Sequence, residues 1–437
     1  MNFSWSKSLS QFPKRHPDLV SALILLTALL LIRAISEFNG LYGQDSHEYL
    51  RYSQRISKFF FSGPHPGDYH WPINYPLYGA LFSLIFQSNM LTLQLISIVS
   101  LVLTIIYIRN LLGLVYSISS NYEIYVYLGI TVIFSPFFLQ SAFLVMSDML
   151  AVFFTTAAIY HILKYARTIE RKDFLLVIFF TTSAVMTRYV TIVVLTPALI
   201  LFATHFFKKF NFTNLLLAIL IALVCLSPHI LIRGENATNF LENHLLVAWS
   251  AKNWFLSEFR NMEGYFNYRI PNLLYGFSNF FYPGFMFFGA PLFLLFRKKD
   301  WQSFATILLL ASVLVYTLFL AGIPVQNMRF LLLTFPLVIV LMFPPFQRFV
   351  EKIIQTKLLL KFVIIAVIPI QAALIYKYSH PIWNLNQLEK NIAETLRDEQ
   401  ARPVYTFAID VALRSYGVEN RLVNLWLNEI SRVDSTA

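Results

Sequence analysis

Cysteine is almost missing from this chain. The single Cys225 lies inside an apolar run, which excludes an intramolecular disulfide and any cysteine-based zinc site. Charge is scarce too: 13% of residues are charged, against about 25% in soluble domains. With 57% hydrophobic residues and a mean hydropathy of +0.60, the composition is that of a polytopic membrane protein. No glycine-rich phosphate loop is present, nor a soluble domain to hold one, so a nucleotide site is not expected. The net charge of +11 does not signal nucleic acid, because the basic residues fall in short loops between apolar runs. No internal repeat is evident, which counts against a transporter built from duplicated halves.

What is there is a series of apolar runs. Lys7, Lys14 and Arg15 precede the run 19–32, and no small-residue cleavage site follows, which predicts an uncleaved first helix. Eleven spans are expected: 19–36, 91–109, 122–140, 149–165, 174–188, 190–207, 214–232, 277–296, 302–321, 330–347 and 358–376. The piece 75–87 (YPLYGALFSLIFQ) is short for a span and reads as a re-entrant or interfacial helix. The fold class is therefore an all-α polytopic membrane protein with juxtamembrane helices and a small C-terminal α/β appendage. Placing the N-terminus in the cytoplasm puts the basic runs KYARTIERKD and RKKD inside, as the positive-inside rule asks. The loops 37–90 and 233–276 then face outward, and so does the tail 377–437, with strand-like VYTFAI and helical VALRSYG. This predicts a multi-pass protein of the inner (plasma) membrane with a catalytic membrane domain over 1–376 and its C-terminus periplasmic or extracellular. Such outward mass suits an enzyme at the outer surface better than the alternative, a transporter or lipid flippase for a glycan precursor.

The stretch 41–58, LYGQDSHEYLRYSQRISK, is the densest early cluster of ionisable groups. Tyr49, Tyr52, Ile56, Phe59 and Phe60 recur at helical spacing, which predicts an amphipathic helix at the membrane surface. Asp45 stands where an N-cap is expected, and Glu48 shares its side of the first turn. Three more charges mark outer span ends: Asp148, Arg188 and Arg329. Carboxylates can take a proton from an attacking hydroxyl, and arginines can bind a phosphate bidentately. Each residue also has a plain structural reading, as a cap, a snorkelling anchor or an ion pair. His65, Asp68 and His70 have a spacing that a divalent metal could use, in a loop rich in proline and glycine. Tyr75, His70 and Tyr189 are weaker substrate-binding candidates. If a sugar is transferred, its donor is lipid-linked rather than nucleotide-linked.

The order of these motifs resembles the GT-C superfamily of membrane glycosyltransferases. More narrowly, it is similar to bacterial relatives of protein O-mannosyltransferase and aminoarabinose transferase (glycosyltransferase family 39-like). The resemblance runs over 19–376 and rests on GQDSHEYLRYSQRI after the first span, WPINYPLYGALFSLIF, VMSDMLAVFF, MTRYVTIVVLTP and MRFLLLTFP. It implies an inverting transfer from a polyprenyl-phosphate sugar to a hydroxyl on a glycan, lipid or protein acceptor. It also implies Asp45 as general base, Asp148 as the acidic residue of the second outer loop, and Arg329 near the donor phosphate. Glu48 and Arg188 carry over less directly. The juxtamembrane motif has one proline, Pro76, where the family often has two, and the tail is shorter than in some members.

Overall fold

The computed structural model describes residues 17–67, 69–118, 121–234, 244–261, 264–353, 357–397, 402–407 and 409–425. Helix α1 (Pro17–Ser36) leads into α2 (Gly43–Phe60), α3 (Asn74–Phe86) and the long α4 (Asn89–Tyr116). There follow α5 (Asn121–Leu128), a π-helical turn Gly129–Ile133, and α6 (Pro136–Phe143). The bundle continues with α7 (Asp148–Thr168), α8 (Arg171–Thr187), α9 (Thr191–Lys208) and α10 (Phe212–Arg233). Six helices are long and apolar enough to cross a membrane, or seven if the bent pair around the π turn is one span.

Helix α7 is the centre. Ala151, Ala157 and Ala158 are fully buried, and such small residues let α4, α8 and α9 close around it. Its apolar window is 78% buried against 6% for α1, so α1 is the peripheral helix whose surface is left for lipid. Helix α3 spans 13 residues, about 20 Å at 1.5 Å per residue, short of a hydrocarbon core of about 30 Å. It packs between α2 and α4 and leaves Leu81, Phe82, Leu84, Ile85 and Phe86 exposed.

After α10 come the short α11 (His244–Val247) and an antiparallel ribbon of β1 (Glu258–Asn261) and β2 (Gly264–Asn267). The single continuous helix expected over 277–296 does not form. That stretch holds the end of α12 (Asn272–Ser278), a 3-10 turn Asn279–Phe281, the four-residue α13 (Gly289–Leu292) and a 3-10 turn Phe293–Leu295. Its composition is apolar, but Pro283, Gly284, Gly289 and Pro291 interrupt any helix. Gly284 also seats the Phe137 ring where a Cβ would stand, and its carbonyl accepts from Phe137 N at 2.9 Å.

Helix α14 (Phe304–Ala321) and α15 (Phe335–Ile353) are joined through a 3-10 turn, Met328–Leu333, so the start of the span expected at 330 is not α-helical. The span expected over 358–376 is part of α16 (Lys357–Arg397). Its 41 residues reach about 60 Å, twice the hydrocarbon thickness, so the helix extends well past a membrane. Parallel strands β3 (Val404–Thr406) and β4 (Leu422–Asn424) flank α17 (Asp410–Ser415). A small core of Ala393, Leu413 and Val418 joins this unit to α16.

Candidate active site

Asp45 is not an N-cap. Tyr42 takes that position with extended backbone, and Gly43, at φ +66°, turns the chain into α2. Ser46 Oγ accepts from Tyr42 N at 2.6 Å, so the serine satisfies the end of the helix and the Asp45 carboxylate is left over. The preceding loop is pinned to the start of α7 through Gly40. Its carbonyl accepts from Val145 N at 2.8 Å, and a Cβ there would lie 2.8 Å from the Phe143 carbonyl. Helix α2 buries Tyr49, Tyr52 and Ile56 at the spacing read from the sequence, while Phe59 and Phe60 are exposed.

Four charges from four elements then form one chain. Arg329, on the 3-10 turn, donates from Nη2 to Asp45 Oδ2 at 2.7 Å. Its Nε lies 3.4 Å from Asp148 Oδ2, at the start of α7. Arg188, where α8 ends, donates from Nη1 to Asp148 Oδ1. The Arg188 guanidinium also lies over the Phe330 ring, 5.8 Å from its centroid. Arg329 Nη1 meets a thioether, Met146 Sδ at 3.3 Å, which is a weak acceptor. Two carboxylates offset two guanidiniums, the condition for holding charges out of water. The side chain of Asp148 is 3% exposed and that of Asp45 31% exposed, so one is an internal strut and the other faces the open side.

An aromatic wall backs the chain. Tyr49 Oη and Ser147 Oγ share a hydrogen bond of 2.7 Å beside Asp148. Tyr49 contacts Trp71, Tyr69 and Tyr75, and Tyr52 stacks on Tyr69 at 4.0 Å. Burial pushes the hydroxyls of Tyr49 and Tyr69 above the ordinary tyrosine range; at Tyr49, Arg188 opposes the shift and Asp45 adds to it.

The other residues singled out in the sequence lie elsewhere. Glu48 accepts from Arg51 on its own helix and is not joined to the four-charge chain. Tyr75 is fully buried, with its hydroxyl bonded to Leu93 O and Ser97 Oγ, both at 2.9 Å, so it is a packing residue. Tyr189 bonds His229 Nε2 at 3.3 Å, and exposed His70 sets its ring edge-on to Trp71. His65 Nδ1 accepts from Gly67 N at 3.2 Å, inside its own turn. Asp68 lies outside the described residues. Among the described residues no three His, Cys, Asp or Glu side chains gather where a metal could sit. His229 lies in no motif, and His47, although inside the 41–58 cluster, shows its buried partners only in the fold. For Arg233 the signal was its position directly after a long apolar run.

Residues 70–232 match the family described as dolichyl-phosphate-mannose-protein mannosyltransferase. No curated protein matches the chain. Among solved structures, ArnT from Cupriavidus metallidurans bound to undecaprenyl phosphate superposes with a TM-score of 0.63 at 14% identity, over 92% of this chain and 85% of that one. Its apo state gives 0.59 at 12% identity, over 92% and 86%. The archaeal oligosaccharyltransferase AglB from Archaeoglobus fulgidus, in complex with an inhibitory peptide and a dolichol-phosphate, gives 0.53 at 12% identity, over 94% and 65%. At these identities the likeness is one of fold. The chain carries the membrane fold of the GT-C glycosyltransferases, and its residues 70–232 match a mannosyltransferase family.

Proposed function

We propose that the protein is an inverting glycosyltransferase that moves a sugar from a polyprenyl-phosphate donor to a hydroxyl acceptor at the outer face of the membrane. The observation that carries this reading is the chain Asp45–Arg329–Asp148–Arg188, in which only Asp45 combines a carboxylate with substantial exposure. Asp148 is the strut that holds both guanidiniums. Arg329 has Nη1 to offer a phosphate oxygen, and Arg188 adds positive charge behind it. When the phosphate draws Arg329 toward itself, Asp45 loses its partner and becomes a base. The acceptor O–H proton passes to Asp45 as the oxygen attacks the anomeric carbon. The bond from that carbon to the phosphate oxygen breaks, and its electron pair leaves with the polyprenyl phosphate. The likeness to ArnT with undecaprenyl phosphate and AglB with dolichol-phosphate supports this class of donor.

The test uses purified protein in nanodiscs, a panel of polyprenyl-phosphate sugars and a membrane extract as acceptor source. One donor is expected to yield polyprenyl phosphate and a new glycoside. Asp45→Asn should lower that rate about 100- to 10,000-fold, the range for loss of a positioned general base. Near-normal turnover by a well-expressed Asp45→Asn rejects the assignment. Movement of an unaltered substrate across the bilayer would favour a transporter instead.

A further inference from the structure

Helix α1 carries Arg33 in its last turn, where the helix dipole favours a cation. The guanidinium Nε donates to Gln94 Oε1 at 2.9 Å. Gln94 is fully buried near the start of α4, and its Nε2 donates to the carbonyls of Phe38 at 3.0 Å and Phe143 at 2.9 Å. A buried carboxamide engaged through both its oxygen and its nitrogen fixes one edge of the arginine. Arg33 thereby stands pre-set at the wall of a cavity of about 680 Å³, within the range of about 300–1,000 Å³ usual for small-molecule sites. Glu37, Gln54, Gln87, Lys390 and Tyr416 share that wall.

The cavity lies on the far side of α2 from the four-charge chain. Its α2 residues, Leu50 and Gln54, stand about 140° and 180° round the helix from Asp45 at 3.6 residues per turn. It is also a seam: Arg33 and Gln87 belong to the bundle, Lys390 to the far part of α16, and Tyr416 to the C-terminal unit. Asn39 and Tyr416, both on the wall, meet at 3.4 Å between Nδ2 and Oη. Apolar surface flanks the opening. Ile32 and Ile35 of α1 and Ile85 and Phe86 of α3 are exposed, and Gln87 directly follows Phe86.

Two cations and one carboxylate on one wall suit a ligand that carries both signs. A neutral glycan carries neither, and would cover three charges without supplying a counter-charge. A purely anionic lipid would meet Glu37. A head group with a phosphate and a primary ammonium answers all three, and the apolar flanks give its acyl chains a place.

We propose that the cavity holds the head group of an amine-bearing phospholipid of the surrounding membrane, with its phosphate on Arg33 and Lys390 and its ammonium on Glu37. This lipid is not a substrate of the transfer, and the inference stands apart from the glycosyl-transfer reading. Its role is to join the bundle to α16 and the C-terminal unit. Wild type, Arg33→Gln, Lys390→Gln and Glu37→Gln are delipidated in detergent and titrated with phosphatidylethanolamine, phosphatidylcholine and phosphatidylglycerol, with bound lipid counted by native mass spectrometry. Wild type should bind one phosphatidylethanolamine about 10-fold more tightly than either other lipid. Arg33→Gln and Lys390→Gln should each weaken that binding about 10- to 100-fold, the worth of a charge-assisted hydrogen bond. Glu37→Gln should erase the preference over phosphatidylglycerol. Bound phosphatidylethanolamine should also slow proteolysis of the C-terminal unit in wild type, because a ligand of the folded state stabilises it. Equal binding of the three lipids by wild type overturns the proposal, and so does an unchanged preference in Glu37→Gln. Displacement of the lipid by a soluble neutral oligosaccharide would assign the cavity to a glycan and overturn it equally. If Arg33→Gln does not fold, Glu37→Gln decides, since Glu37 is exposed.

Discussion

Asp45 and Asp148 are both carboxylates on arginines, yet their exposure assigns them different work. Asp148 is buried and serves two guanidiniums, so Asp148→Asn leaves two positive groups to share one partly exposed carboxylate. Breaking a buried pair this way costs about 3–5 kcal/mol. The expected outcome is a clear fall in the thermal unfolding temperature of the detergent-solubilised protein. Asp45→Asn removes a pair that is 24% and 31% exposed, for which about 1 kcal/mol or less is expected. It should unfold near the wild-type temperature while losing turnover. If the two variants lose equal stability, Asp148 is not the strut. Sequence alone located all four residues, because charges at the ends of apolar runs are few. The resemblance implied Asp45 as the base, but the residues alone did not show that Asp148 is buried and Asp45 partly exposed, since that difference is one of burial. The capping role given to Asp45 failed because Gly43 and Ser46 start the helix without it.

Helix α2 is braced on the face opposite Asp45 by the C-terminal elements. His47 is fully buried, with Nδ1 2.5 Å from Ser415 Oγ at the end of α17 and Nε2 3.4 Å from Glu389 Oε2 on α16. Asn386 of α16 donates to Asn39 Oδ1 at 2.9 Å and to Leu41 O at 3.0 Å, in the loop that leads to Asp45. His47 is two residues from Asp45 on the same first turn, so loss of the brace should shift the proposed base. His47→Ala should make the segment after residue 397 more sensitive to a soluble protease. It should also lower turnover about 10- to 100-fold, less than Asp45→Asn, since a displacement of the order of 1 Å costs about that much. Unchanged proteolysis and turnover would show that the C-terminal elements do not hold α2. At this scale legibility was uneven. The Tyr49, Tyr52, Ile56 spacing gave the helix and its buried face. The stretch 277–296 was misread because apolar composition was weighed above Pro283, Gly284, Gly289 and Pro291. The reach of α16 to Arg397 was hidden because polar residues after 376 continue a helix that has left the apolar zone.

The molecule has an ion-pair layer at each end. At one end are the four-charge chain, Arg233 and the C-terminal brace. At the other, Arg109 pairs with Asp18 at 3.1 Å, Asp173 holds His161 at 2.7 Å and Lys164 at 3.1 Å, and Arg348 donates from Nη1 to Asp300 at 3.0 Å. The basic runs 164–172 and 297–299 belong to that second end, and the positive-inside rule leads to the expectation that this end is cytoplasmic. That expectation applies to the whole molecule, because helices of one bundle cannot be turned over singly. Changing the single cysteine, Cys225→Ala, gives a cysteine-free background. On it, Asn391→Cys and Lys298→Cys each place one thiol at an exposed position, at the site end and at the opposite end. A membrane-impermeant maleimide should label Asn391→Cys in intact cells and Lys298→Cys only after permeabilisation. The reverse pattern would put the four-charge chain in the cytoplasm, where a lipid-linked donor of the outer leaflet cannot reach it, and the mechanism proposed above would fail.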